Sequence, residues 1–274
     1  MESPHLLKLH VLASGSKGNC SVIEGPQGCL MIDNGLTRKT TLERLGTCGI
    51  KPEHIKAILL THEHNDHIQG LKVWSNAFNT PIYGPKGISH STRKALSGLK
   101  VTEFNPESTF LIAGININAF STSHDVSVSC GFRFDYQDDS IGFATDTGTL
   151  SQHSQQALYG TRILALESNH DLTMLKNNVD YPRYLKERIA SATGHLSNQQ
   201  ASQYASKLVS SSTEYLVGMH LSQNNNSPLL VIKTFASNLK ANMSNIASEK
   251  FGFFAIRDNL RICAASQNRP LTFQ

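Results

Sequence analysis

The chain has 274 residues, and its 25 Lys and Arg against 21 Asp and Glu leave a net charge of +4. A content of 39% hydrophobic and 17% charged residues belongs to a globular protein with a full core, which excludes disordered tails, fibres and disulfide-stapled mini-proteins. The five cysteines, Cys20, Cys29, Cys48, Cys130 and Cys263, are scattered and form no CxxC pair, so a thiolate metal knuckle is excluded and a reducing compartment is expected.

Residues 6–13, 20–24 and 29–33 are short apolar runs separated by glycines and read as three strands. Residues 37–45 read as a helix and 55–60 as a strand buried on both faces. Residues 67–79 follow as one helix, then strands at 114–120, 131–136 and 140–144. Beyond these, helices at 150–158, 181–190, 198–209 and 229–239 alternate with strands at 162–167 and 215–219, and strands at 252–256 and 260–264 close the chain. No run approaches the ~20 apolar residues of a membrane span. The start, Met1-Glu2-Ser3-Pro4-His5, has an acid where a secretory signal has a base, so a cytoplasmic protein without a membrane partner is expected. The polar stretch at 222–227 is too short for a linker, and a single domain over residues 1–274 is expected.

Chemistry concentrates after the buried strand, in Thr61-His62-Glu63-His64-Asn65-Asp66-His67. Side chains two apart on an extended segment point the same way, so His62 and His64 can grip one ion, while Asp66 and His67 can face a second. Imidazole and carboxylate without thiolate suit zinc, manganese or iron. Three further groups follow strands in the same manner: His124 after the strand near residue 120, Asp146 after residues 140–144, and His220 after residues 215–219.

The order Asp33, His62-x-His64-x-Asp66-His67, His124, Asp146, His220 resembles the metallo-β-lactamase fold superfamily. Glu167-Ser168-Asn169-His170-Asp171, Gly194-His195-Leu196-Ser197-Asn198, Leu12-Ala13-Ser14-Gly15-Ser16-Lys17-Gly18-Asn19 and Tyr181-Pro182 narrow the resemblance to the YycJ/WalJ exonuclease branch. The resemblance implies an α/β fold, a four-layer αββα sandwich of two mixed β-sheets flanked by helices. It also implies a dinuclear centre of two divalent transition-metal ions. His62, His64, His124 and Asp146 would hold the first ion; Asp66, His67, His220 and a bridging Asp146 the second. Asp33 would order the HxHxDH loop, unless it is a turn residue. His195 would touch the scissile phosphate, unless it is only a helix-capping loop residue ahead of Ser197, and Glu167 would orient it, with Asp66 holding the attacking hydroxide.

Activity as a 5′→3′ DNA exonuclease with a role in mismatch repair is implied, with nucleic acid as partner and DNA in preference to RNA. Ser14, Ser16, Lys17, Asn169, His170 and Asn198 are candidates for substrate contact. The loop at 14–18 either meets a phosphate or is a hairpin turn, and His170 either lines the site or caps its loop. Arg183, Lys186 and Arg188 either track a phosphate backbone or form a solvated helix face. Two departures from the branch are Val126-Ser127-Val128-Ser129, which lacks a proline, and Gln223 in place of an acid. The alternative is a small-molecule hydrolase of the same fold, for an ester, thioester, lactone or cyclic phosphodiester.

Overall fold

The computed structural model describes residues 6–91, 93–242 and 255–274. Its strands form two mixed sheets with helices beside them, and the chain divides into two compact units. The first comprises Met1–Ser121, Val126–Ser140 and Gln267–Gln274; the second comprises Thr122–Asp125 and Ile141–Ser266.

In the first unit, β1 (Lys8–Ala13), β2 (Cys20–Gly25) and β3 (Gly28–Ile32) form an antiparallel meander. From β3 the sheet continues in parallel through β4 (Ile55–Leu59), β5 (Ile82–Pro85) and β6 (Val101–Phe104). The C-terminal strand Leu271–Phe273 pairs antiparallel with β1. Helix α1 (Arg38–Thr47) starts where the Thr37 hydroxyl accepts the Thr40 N–H, a standard N-cap. Helices α2 (Asn65–Ile68) and α3 (Leu71–Phe78) follow β4. Leu45 from α1 and Leu71 and Trp74 from α3 join the apolar cluster formed by Leu12, Val22, Met31 and Ile58. The buried Trp74 indole donates to Thr80 Oγ1 at 3.1 Å, so its burial leaves no polar atom unsatisfied. Strands β7 (Thr109–Ile112), β8 (Ile115–Ser121) and β9 (Cys130–Tyr136) make an antiparallel ladder.

Residues 67–79 are not one helix. The chain breaks at Gly70, whose N–H donates to Asn34 O at 2.9 Å, and a Cβ there would lie 2.0 Å from Leu36 O. Strands β5, β6, β7 and the C-terminal strand are additions to the sequence expectation.

The second unit carries the greater part of β10 (Asp139–Ala144) together with β11 (Ile163–Glu167), β12 (Tyr215–Met219) and β14 (Leu260–Ala264), which run parallel in that order, with β13 (Ala255–Arg257) antiparallel on β14. Of the strand expected at 252–256, residues 252–254 lie outside the described residues. Between these strands lie α4 (Gln152–Leu158), α5 (Leu172–Asn177), α6 (Arg183–Ile189), α7 (Asn198–Leu208) and α8 (Pro228–Leu239). Every parallel strand of this unit is buried along most of its length, as strands covered on both faces are. The loops leaving β10, β11 and β12 at their C-terminal ends carry Asp146, His170 and His220, the position at which open α/β sheets place their ligands. No helix among the described residues is long and apolar enough to cross a membrane.

Candidate metal centre

In the first unit Asp33 organises the HxHxDH segment. It is buried, and its carboxylate accepts the Thr61 N–H at 2.8 Å, the Thr61 hydroxyl at 2.7 Å and His67 Nδ1 at 2.7 Å. Because the Thr61 hydroxyl donates to Asp33, its oxygen is left to accept His62 Nδ1–H at 3.0 Å. Both imidazoles are thereby held in the tautomer with Nε2 unprotonated and turned away from Asp33, the arrangement that metal-ligating histidines need. The His62 ring centroid lies 4.8 Å from that of His64 and 4.1 Å from that of His67.

Asn19 is a residue that sequence reasoning passed over. Its Nδ2 lies 3.1 Å from Asp66 Oδ2 and 3.0 Å from His67 Nε2, its Oδ1 accepts the Gly15 N–H, and its N–H donates to Asp66 O. It ties the β1–β2 connection to helix α2. Gly35 is also required there, since a Cβ on it would lie 1.6 Å from Asp66 O. The 14–18 loop is a hairpin turn closed by Gly18 N–H to Gly15 O, with Ser14 buried and Ser16 and Lys17 exposed.

In the second unit Glu167, at the end of β11, is wholly buried. Its Oε1 accepts His195 Nδ1 at 2.8 Å and His220 Nδ1 at 3.0 Å; its Oε2 accepts the N–H groups of Thr147 and Leu196. Burial alone would push its carboxyl up, but the charge of the adjacent His195 and the hydrogen bonds from His195 and His220 hold it down to about 2. One carboxylate thus orients two imidazoles and two loops. Asp146 Oδ1 lies 3.2 Å from His220 Nδ1, 3.7 Å from His124 Nε2 and 3.9 Å from His195 Nδ1. His124 Nδ1 donates to Gly194 O at 3.2 Å, which turns its Nε2 toward Asp146.

The donor atoms of Asp146, Glu167, His195 and His220 all lie within 4.8 Å of one another. Of these, Asp146 and His220 are buried and suited to a divalent transition-metal ion, as is His124 with its Nδ1 tied to Gly194 O, whereas Glu167 is taken up by the imidazoles it orients and His195 is partly exposed. Asp33, Asp146 and His220 also share a backbone peculiarity: φ is +57°, +55° and +54° respectively. Non-glycine residues in this left-handed region cost on the order of 1 kcal/mol each and gather at functional sites.

Asn198 is fully buried. It exchanges two amide hydrogen bonds at 2.9 Å with Asn226 and accepts the Ser168 hydroxyl at 2.8 Å, so it holds the loop together rather than facing a substrate. Asn169 Nδ2 donates to His220 O and so fixes the turn that carries His220. His170 is buried with neither ring nitrogen hydrogen-bonded among the described residues. The cap of α5 is Asp171, not His170.

The family described as a beta-lactamase superfamily domain matches residues 30–221. Exodeoxyribonuclease WalJ of Streptococcus pneumoniae is 32% identical over 243 residues, 85% of this chain and 88% of that protein. Exodeoxyribonuclease YycJ of Bacillus anthracis is 29% identical over 223 residues, 80% of this chain and 84% of that protein. Among solved structures, the metallo-β-lactamase fold protein YhfI of Bacillus subtilis matches with a TM-score of 0.69 at 16% identity, covering 98% of this chain and 100% of that one. That likeness establishes the fold, two mixed sheets with flanking helices. Family match, close relatives and fold agree: the chain belongs to the metallo-β-lactamase superfamily and is a hydrolase of its YycJ/WalJ-like exonuclease branch.

Proposed function

We propose that this protein hydrolyses phosphodiester bonds of nucleic acid, DNA in preference to RNA, working from a 5′ end and serving DNA repair in the cytoplasm. Residues 1–274 act as one hydrolase domain. Two divalent ions, zinc or manganese with iron as a third candidate, are the cofactors. His62, His64, His124 and Asp146 are the proposed ligands of one ion; Asp66, His67, His220 and the bridging Asp146 are those of the other. When bound, the ions supply Lewis acidity to a phosphoryl oxygen and acidify water.

The observation that carries this reading is the His195–Glu167 pair. His195 keeps 15% of its side chain exposed, is anchored through Nδ1 at 2.8 Å on a fully buried carboxylate, and lies with its ring 5.1 Å from those of His124 and His220. An imidazole so fixed presents Nε2 outward, where it protonates a departing oxygen. A nucleotide alkoxide needs that proton, whereas a thioester's thiolate does not. Asp66, held by Asn19, orients the attacking water. The names of the two exodeoxyribonuclease relatives support DNA as substrate.

The test is metal-reconstituted protein incubated with 5′- and 3′-labelled DNA and RNA oligonucleotides, single- and double-stranded, with nitrocefin and a thioester as controls. Mononucleotides should be released first from the 5′ end of DNA, and binding should weaken as salt rises because phosphate contacts displace counterions. Fast turnover of the lactam or thioester without nuclease activity would replace this reading with a small-molecule hydrolase.

A further inference from the structure

The second unit concentrates its exposed apolar surface in one segment. Of the eight large hydrophobic residues that stand exposed among those described, four fall between residues 172 and 184: Leu172, Met174, Val179 at 94% and Tyr184 at 72%. Scattered exposed apolar side chains need no explanation, but a cluster marks a contact surface. Helix α6 buries none of its residues. The segment 172–190 sets four bases, Lys176, Arg183, Lys186 and Arg188, against two acids, Asp180 and Glu187. It therefore holds half of the chain's net +4 charge. Apolar side chains and one aromatic ring beside an excess of positive charge suit a ligand with flat faces and an anionic backbone.

The far end of α6 runs into the candidate site. Ile189 O accepts the His195 N–H at 2.9 Å, and a Cβ on Gly194 would lie 2.2 Å from Arg188 O and 2.3 Å from Ile189 O. Arg188 Nε lies 2.8 Å from Asp125 Oδ2, next to His124 in the chain. Tyr184 and Arg188 are four residues apart, so they share a helix face with one about 6 Å along the axis from the other. Beside the start of α6 lies a cleft of about 480 Å³ that Met174, Val179 and Asn224 help to line. Asn224 Nδ2 donates to the Tyr181 hydroxyl at 3.1 Å, which braces the turn into the helix.

We propose that the exposed face of α6 is the track on which a single nucleic-acid strand lies as it leaves the site, with Tyr184 stacking against a base and Arg188 taking a phosphate. This rests on the nucleic-acid reading above. Base stacking on an aromatic ring tolerates every sequence, as an enzyme that degrades arbitrary strands requires.

The experiment is fluorescence anisotropy of a single-stranded phosphorothioate deoxyoligonucleotide, which resists cleavage, with the metal-reconstituted protein. Tyr184→Ala should weaken binding about 5- to 150-fold, and Tyr184→Phe should bind within about twofold of the parent, because the ring and not the hydroxyl stacks. On an oligonucleotide with abasic sugars in place of bases, parent and Tyr184→Ala should bind alike. Arg188→Ala should reduce the slope of log affinity against log salt by about 0.7. A Tyr184→Ala variant that binds the normal strand as the parent does, or that loses as much on the abasic strand, overturns the track and leaves the nuclease reading standing. A parent protein that binds no oligonucleotide overturns both.

Discussion

His195 and His220 each precede Leu-Ser and share one oxygen of Glu167, yet they differ in exposure and in neighbours. His220 ends β12 and lies 3.2 Å from Asp146, whereas His195 sits in the loop before α7. His195→Ala should therefore keep its metal content and lose ~10²–10⁴-fold in rate. The loss should shrink on a p-nitrophenyl phosphodiester, whose leaving group needs no proton. Asp146→Ala should lose metal, read by elemental analysis of protein purified without chelator. Full metal content in that variant would remove Asp146 from the ligand set. Asp33→Ala strips the acceptor from three buried donors, each worth roughly 1–3 kcal/mol when left unsatisfied. It should weaken metal affinity about 10- to 100-fold by releasing His67 and, through Thr61, His62. These residues were legible because their types are contiguous or follow strands. Asn19 and Thr61 were not, since an Asn in a glycine turn and a Thr before a histidine carry no signal until side-chain directions are known.

Secondary structure was legible where burial imposes a pattern. The apolar runs of β1 to β4 and of β10 to β12 lie within a residue or two of expectation, because a strand covered on both faces must be apolar throughout. Strands β5, β6 and β7 escaped notice: each is four residues long, β5 contains Gly84 and Pro85, and β6 and β7 are partly exposed. Helix α5 was missed for a similar reason, being six residues with one buried side chain. Helix α7 shows the opposite case. The Ser197 hydroxyl accepts the Gln200 N–H at 3.2 Å while Gln200 Oε1 accepts the Ser197 N–H at 3.0 Å, a reciprocal capping box. Because Ser197 also follows the Leu196 N–H that Glu167 accepts, this cap steadies the loop bearing His195. Ser197→Ala should cost about 1 kcal/mol, seen as a melting temperature lower by roughly 2–4 °C.

For the molecule as a whole, stability is tied to acidity through groups buried in the neutral state. Burial pushes the His170 imidazole down to about 4, and His10 is lowered in the same sense, again chiefly by burial. A histidine whose folded value lies below the unfolded ~6.5 contributes fully above pH 6.5 and loses that contribution as pH falls toward its folded value. For His170 the loss is on the order of 3 kcal/mol across that window. Urea unfolding from pH 7.5 to 4.5 should show His170→Asn with a flatter decline than the parent. An unchanged decline would place the acid sensitivity elsewhere.

The positive φ angles at Asp146 and His220 set chemistry against stability. The backbone there prefers Gly or Asn, whereas the proposed ligand role would demand a carboxylate and an imidazole. A library selected for heat resistance alone should accumulate Asn or Gly at positions 146 and 220 and exclude Val, Ile and Thr. Without metal, Asp146→Asn should melt above Asp146→Ala, since Asn tolerates the left-handed region better. The most heat-resistant sequences of such a library would be hydrolytically dead, a trade that arises at single strand ends rather than from any need for motion.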